Sequence, residues 1–187
     1  LYPEDRNKFI IFWNNRNARR KQSGSLVWWF KEWLDSRNLH DKAQLIMHTD
    51  PKDGHGQDLE KIVSHLGLTN REVLFSTQKI PPQALATFYN MVDVTISISD
   101  AEGFGLSTLE SLACGTPIIA TMTGGLQDQL VDGTNTFGIP LFPTSKCIIG
   151  SQDVPYIYED RINKDQVLSA LNNMYDILTA FLFITLL

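Results

Sequence analysis

Short apolar runs recur along the chain, and segments with helical periodicity separate them. Continuous apolar strands are typical of parallel sheets, because helices cover both faces of such sheets. The predicted strands are residues 9–13, 44–48, 73–76, 94–98 and 117–120, and the pattern becomes unclear after residues 137–141. The predicted helices are residues 23–34, 58–66, 81–91 and 105–113, a short helix after Gly124 and Gly125, and a last helix from about residue 164. This alternation predicts an α/β fold with a single doubly wound parallel sheet.

Length and composition exclude several classes of protein. The chain has 187 residues, is 43% hydrophobic and 20% charged, and carries a formal net charge of −5. These values exclude disorder and argue against a nucleic-acid partner, so one globular domain over residues 1–187 is expected. Two cysteines, Cys114 and Cys147, are too few for a disulfide scaffold and suggest a reducing compartment such as the cytoplasm.

No transmembrane segment is expected. The longest apolar stretch, residues 177–187, is too short to cross a bilayer. A peripheral contact with a membrane stays open as an alternative.

Three polar loops are expected at one edge of the sheet. In doubly wound sheets the ligand lies at the carboxyl ends of the strands, which places residues 14–22, 50–57 and 100–105 together. The first of these loops is basic. Arg16 and Lys21 are spaced so that both can reach one diphosphate, although Arg19 and Arg20 could serve instead, and a simply solvated basic loop is the alternative.

The loop after the fourth strand has the features of an anion site. Gly103 and Gly105 allow a close approach of the backbone, and the first N–H groups of the following helix favour phosphate. Glu110 falls on the predicted apolar stripe of that helix, where a buried carboxylate needs hydrogen bonds, so it is expected to accept them from ligand hydroxyls. The alternative is an edge residue that escapes to solvent or that bonds a buried backbone N–H. Glu102 would lie up to about 12 Å away, too far for the two carboxylates to form one acid/base pair.

Two sequence elements resemble a known family. Residues 102–110 read EGFGLSTLE and residues 110–120 read ESLACGTPIIA. They resemble the E-x7-E element and its usual continuation in the retaining GT-B glycosyltransferases of family 4, once called group 1. Arg16 and Lys21 stand at the spacing of the family's G-R-x4-K element. The chain therefore resembles the carboxyl-terminal, Rossmann-like half of a GT-B fold.

The resemblance implies a donor-binding domain for a nucleotide-diphosphate sugar. By it, Arg16 and Lys21 bind the diphosphate and stabilise the leaving group, and Glu110 holds the ribose. Glu102 and the backbone from Gly103 to Ser107 contact the donor sugar and phosphate; that backbone segment comprises Gly103, Phe104, Gly105, Leu106 and Ser107. The family is usually metal-independent and needs no cofactor. The four histidines of this chain also have no metal-ligand spacing.

The family's enzymes place the active site between two domains. On this resemblance the amino-terminal domain, which binds an acceptor sugar or lipid, is expected to be absent from the chain, and the isolated chain is expected to be poorly active. Two alternatives remain open from the residues. One is a nucleotide-sugar epimerase of the same fold, which would need further acid/base groups at the rim. The other is a non-catalytic, flavodoxin-like nucleotide-binding or signalling module, whose ligand binding would not depend on Glu110.

Overall fold

The computed structural model describes residues 7–184, and side chains up to residue 180. This part of the chain contains ten strands, six α-helices and a short 3-10 helix at Arg19–Lys21. The strands are β1 Phe9–Asn14, β2 Ala43–His48, β3 Val73–Ser76, β4 Val94–Ser97, β5 Ile118–Thr121, β6 Val131–Asp132, β7 Asn135–Thr136, β8 Gly138–Leu141, β9 Ser145–Ile149 and β10 Ile157–Arg161. The helices are α1 Ser23–Arg37, α2 Leu59–His65, α3 Pro82–Met91, α4 Leu106–Ala113, α5 Leu126–Leu130 and α6 Lys164–Ile184.

Six strands form one parallel sheet in the order β3-β2-β1-β4-β5-β8. The predicted α/β class and doubly wound sheet are confirmed. The strand order reverses between β1 and β4, so the loops that leave these two neighbouring strands diverge and open a crevice at their carboxyl ends. In open α/β sheets this reversal is where ligands bind.

Alternate residues of β1 pack on opposite faces of the sheet. Phe9, Ile11 and Trp13 belong to the core beneath α1, α2 and α6. Ile10 and Phe12 pack against α3 on the other face. All five side chains are buried, as continuous apolar strands predict.

Two strand pairs have no counterpart in the sequence prediction, the short β6–β7 pair and the longer β9–β10 pair. β9 and β10 pair antiparallel as a separate two-stranded sheet. Its apolar side chains are largely exposed, with Ile148 59% and Tyr158 60% accessible. Without a buried face the hairpin has no apolar pattern by which it could be recognised.

The apolar stretch at residues 177–187 lies within and beyond α6, and residues 185–187 are outside the described part of the chain. Among residues 7–184, no helix is long and apolar enough to span a membrane.

Candidate functional site

A cavity of about 560 Å³ opens at the carboxyl ends of β1 and β4. This volume lies within the range of small-molecule pockets, about 300–1,000 Å³. The lining comes from the end of β1, the basic loop (residues 14–22), α3, the loop of residues 102–105 after β4, called the glycine loop below, and the first turns of α4. The lining residues are Asn14, Asn15, Arg20, Leu85, Glu102, Gly103, Phe104, Gly105, Leu106, Ser107 and Glu110.

Close backbone packing fixes the shape of the glycine loop. Gly105 has a φ of 83° and is the residue before the first turn of α4. A Cβ on Gly124 would lie 1.7 Å from the carbonyl oxygen of Glu102, and the Gly125 N–H donates to the Gly103 carbonyl at 3.0 Å. The loop is thereby held so that α4 starts at the cavity. The first N–H groups of α4 have no carbonyl partner within the helix and can meet a ligand.

The basic loop brings two cations to the glycine loop. Lys21 Nζ donates to Glu102 Oε2, and the Lys21 side chain is 7% exposed. Arg20 donates to the carbonyl of Ala101 at 2.6 Å and lies 3.5 Å from the Glu102 carboxylate. Burial lowers the pKa of Lys21, and this effect outweighs the opposing influence of Glu102. Two of the predicted site residues, Lys21 and Glu102, are therefore direct neighbours.

The structure does not bring Arg16 to the same place as Lys21. Arg16 Nε donates to Asp53 Oδ2 at 2.6 Å, its Nη2 lies 2.7 Å from His55 Nδ1, and its side chain is 60% exposed. The Arg16 guanidinium holds the pKa of Asp53 well below its usual range. The expectation that Arg16 and Lys21 face one diphosphate is therefore corrected. Arg16 instead pairs with Asp53, which belongs to the loop of residues 50–57. Arg20 lines the cavity in its place.

Glu110 lines the cavity, but it is not buried. The prediction that it lies on a buried apolar stripe is wrong, because the buried face of α4 carries Thr108 and Ser111. Their hydroxyls are satisfied within the core, with Thr108 donating to Gln129 at 2.6 Å and Ser111 donating to Thr95 at 2.8 Å. Small hydrogen-bonded hydroxyl groups can thus face the sheet while the opposite side of α4 is open.

The β9–β10 hairpin braces the basic loop, a role that the sequence did not reveal. Glu159 accepts two hydrogen bonds from Arg19, at 2.6 and 2.9 Å. Arg161 lies 2.6 Å from the buried carboxylate of Asp100, and the side chain of Gln22 donates to the same carboxylate at 2.6 Å. Burial raises the pKa of Asp100, and Gln22 and Arg161 oppose that rise. The charged triplet at residues 159–161, between an apolar run and a helix, is the one local signal that could have indicated this role.

Histidine, cysteine and acidic side chains form no metal cluster in the described region. Within residues 7–184, no group of three or more of these residues is placed to hold a metal ion. Arg20, Glu102 and Glu110 supply charge in the cavity lining, together with the start of α4. Lys21 does not line the cavity, but its ammonium contacts Glu102, which does.

Comparison with known proteins matches the chain to one family. The family model described as "Glycosyl transferases group 1" matches residues 5–141. A D-inositol 3-phosphate glycosyltransferase of Acidothermus cellulolyticus is 43% identical over 75 residues, an alignment that covers 40% of this chain and 16% of the relative. The chain thus spans well under a third of the length of this curated relative.

Solved structures share the architecture. Sucrose-phosphate synthase from Thermosynechococcus elongatus matches with a TM-score of 0.68 and 25% identity, over 91% of this chain and 37% of that one. The carboxyl-terminal domain of a group 1 glycosyl transferase family protein from Francisella tularensis matches with a TM-score of 0.65 and 20% identity, over 90% of this chain and 75% of that one. The sheet described above therefore corresponds to the carboxyl-terminal, Rossmann-like half of a GT-B fold.

Proposed function

Since the chain belongs to the group 1 glycosyl transferase family, we propose that its cavity binds a nucleotide-diphosphate sugar as the donor site of a retaining, metal-independent glycosyltransferase of family 4. The observation that carries this proposal is the convergence of four features on one crevice. These are the Arg20 guanidinium, the Lys21 ammonium through its contact with Glu102, the free N–H groups of α4, and two carboxylates, Glu102 before the glycines and Glu110 on α4.

The diphosphate is proposed to lie between the basic loop and the start of α4. A phosphate oxygen would replace Glu102 Oε2 as the acceptor for Lys21 and would accept from the backbone near Ser107. Arg16 is proposed to join the site by exchanging Asp53 for a phosphate. Its present ion pair is at the surface, and such pairs contribute little to stability, so a multiply charged phosphate can compete for the guanidinium.

The two carboxylates are proposed to bind different hydroxyl groups of the donor. Glu110 lies on α4, one turn beyond the N–H groups at the start of the helix, and would accept hydrogen bonds from the ribose hydroxyl groups. Glu102, released from Lys21 when phosphate enters, would accept from the transferred sugar. The backbone from Gly103 to Ser107 would contact the sugar and phosphate between them.

In the proposed reaction the bond between the anomeric carbon and the diphosphate oxygen breaks, and a bond from that carbon to an acceptor hydroxyl oxygen forms on the same face. The products are a glycoside, a nucleoside diphosphate and one proton. Negative charge develops on the departing diphosphate, where Arg20 and the N–H groups of α4 line the cavity and Lys21 becomes available once it leaves Glu102. Fixed cations can stabilise this charge without a metal ion.

The acceptor is proposed to be a sugar or lipid alcohol bound by a second domain that faces this one. The curated relative is named for D-inositol 3-phosphate, a phosphorylated polyol. An acceptor of this chemical class supplies the hydroxyl group that the reaction requires.

Isothermal titration with UDP, GDP and ADP at millimolar concentrations tests the proposal. We expect one of them to bind, and Lys21→Ala to weaken that binding about tenfold or more, since it removes a charge-assisted hydrogen bond. The loss should shrink as salt is added, because salt screens the phosphate attraction of the wild type. Lys31→Ala is the matched control, since Lys31 pairs with Asp35 on α1 and should leave the affinity unchanged. No binding of any nucleotide, or equal effects of the two substitutions, would contradict the proposal.

A further inference from the structure

Tyr89 carries a buried hydroxyl group that the proposed donor contacts do not use. It lies on α3 and is 1% exposed. Its oxygen is 2.9 Å from Asn14 Nδ2 and 3.0 Å from Glu110 Oε2. Tyr89 therefore connects the end of β1 to a carboxylate at the cavity.

The chemistry of the three groups fixes the direction of both hydrogen bonds. An ionised carboxylate only accepts, so the single hydroxyl proton of Tyr89 must be donated to Glu110. The Asn14 amide must then donate to the tyrosine oxygen. Burial raises the pKa of Tyr89, so the hydroxyl keeps its proton and remains a donor across the physiological range.

The tyrosine is held firmly enough to position its partner. Its ring meets Phe12 edge-on at a centroid distance of 5.3 Å. Its backbone carbonyl accepts a hydrogen bond from Thr116 Oγ1 at 2.6 Å. The glutamate, by contrast, is on the open side of α4, and within residues 7–184 Tyr89 is the side chain that bonds it.

We propose that Tyr89 is a positioning residue that holds Oε2 of Glu110, so that the second carboxylate oxygen is presented to the vicinal hydroxyl groups of a nucleotide ribose. This inference rests on the proposed function and deepens it. An exposed glutamate side chain has three rotatable bonds. If Tyr89 already fixes this side chain, less conformational entropy is lost when the ligand binds. Tyr89 acts through Glu110 and need not touch the ligand.

The test compares Tyr89→Phe with wild type for three probes: the nucleoside diphosphate that binds best, its 2′,3′-dideoxy analogue, and pyrophosphate. The substitution removes one oxygen and keeps the ring. We expect roughly fivefold weaker binding of the ribonucleotide and unchanged binding of the dideoxy analogue and of pyrophosphate. The wild-type preference for ribose should therefore largely disappear.

A double-mutant cycle with Glu110→Gln separates positioning from general damage to the fold. Because Tyr89 acts through Glu110, Tyr89→Phe should add little further loss in the Glu110→Gln background. Tyr175→Phe is the matched control, a tyrosine in the aromatic cluster with Phe9 and Trp33 on the opposite face of the sheet, and it should leave all three affinities unchanged.

The possible outcomes distinguish this inference from the proposed function. Equal weakening of all three probes by Tyr89→Phe would show a structural role and overturn the inference, as would an undiminished preference for ribose. Either result leaves nucleotide binding by the wild type intact. Failure of the wild type to bind any nucleoside diphosphate would instead overturn the proposed function, and this inference with it.

Discussion

The Lys21 ammonium is hydrogen-bonded to the Glu102 carboxylate at the position proposed for a phosphate. Lys21 is nearly buried, and its partner Glu102 is 13% exposed. An unpaired ammonium in such a place would be costly, so Glu102 compensates its charge. The pair must separate for phosphate to bind, and the affinity for phosphate is reduced by the strength of this internal contact.

Glu102→Gln should therefore strengthen the binding of pyrophosphate and reduce the part of the binding that the transferred sugar adds. Removing the negative charge frees Lys21, so pyrophosphate should bind roughly threefold more tightly. A nucleotide sugar should bind less tightly relative to its nucleoside diphosphate, because the proposed sugar contact is weakened. Titration calorimetry with pyrophosphate, the nucleoside diphosphate and the nucleotide sugar measures both effects.

Glu60→Gln provides the control for this change of charge. Glu60 lies on α2 and pairs with Lys52 at the surface. It should leave both affinities unaltered. If Glu102→Gln weakens the binding of pyrophosphate and of the nucleotide sugar equally, Glu102 does not compete with phosphate for Lys21.

Arg16 gives a second prediction at the residue scale. If phosphate must displace Asp53 from Arg16, then Asp53→Asn should strengthen pyrophosphate binding modestly, and Arg16→Ala should weaken it. Opposite signs in these two titrations support the exchange. An unchanged affinity in Arg16→Ala would leave Arg20 and Lys21 as the phosphate-binding side chains.

The β9–β10 hairpin acts at the scale of elements, because it fixes the basic loop to the loop after β4. Arg161 compensates the Asp100 carboxylate, which also accepts from Gln22 beside Lys21. Asp100 is 2% exposed, so loss of Arg161 leaves a buried charge with less compensation. The hairpin thereby supports the position of Lys21 without lining the cavity.

Arg161→Ala should lower the free energy of unfolding by about 2 kcal/mol near pH 7. The pKa of Asp100 is raised in the fold, so its contribution to stability is present at low pH and is lost as pH rises through the folded-state pKa. Removal of Arg161 raises that pKa further. The deficit relative to wild type should therefore shrink as pH falls toward the ordinary carboxyl pKa of about 3.9.

Urea denaturation at several pH values measures this effect. Lys52→Ala serves as the control, since its surface pair with Glu60 should make little difference at any pH. A deficit for Arg161→Ala that stays constant or grows toward acid pH would contradict the assigned coupling to Asp100.

The elements differ in how far the sequence predicts them. The strands of the main sheet were predictable because their side chains are buried on both faces, as in Ile10 and Ile11. Helix α4 was placed within a residue, but its buried face was misassigned because hydroxyl groups replace apolar side chains there. The hairpin was missed because its contacts with Arg19 and Asp100 join residues far apart in sequence.

At the scale of the whole molecule, the parallel topology creates the site. β1 and β4 are neighbours at the point where the strand order reverses, so the loops that follow them meet at one edge. The sequence predicted this meeting because the strands could be located and their polarity followed from the fold class. It could not predict the choice between Arg16 and Arg20 at the cavity, because that depends on Asp53, which a different loop supplies.

A crystal structure of the chain with the tightest-binding nucleoside diphosphate tests the central claim most directly. We expect the diphosphate to lie within hydrogen-bond distance of Lys21 Nζ and of a backbone N–H at the start of α4, with the ribose against Glu110. A nucleotide bound elsewhere, or bound in this cavity while Lys21 remains paired with Glu102, would contradict the account.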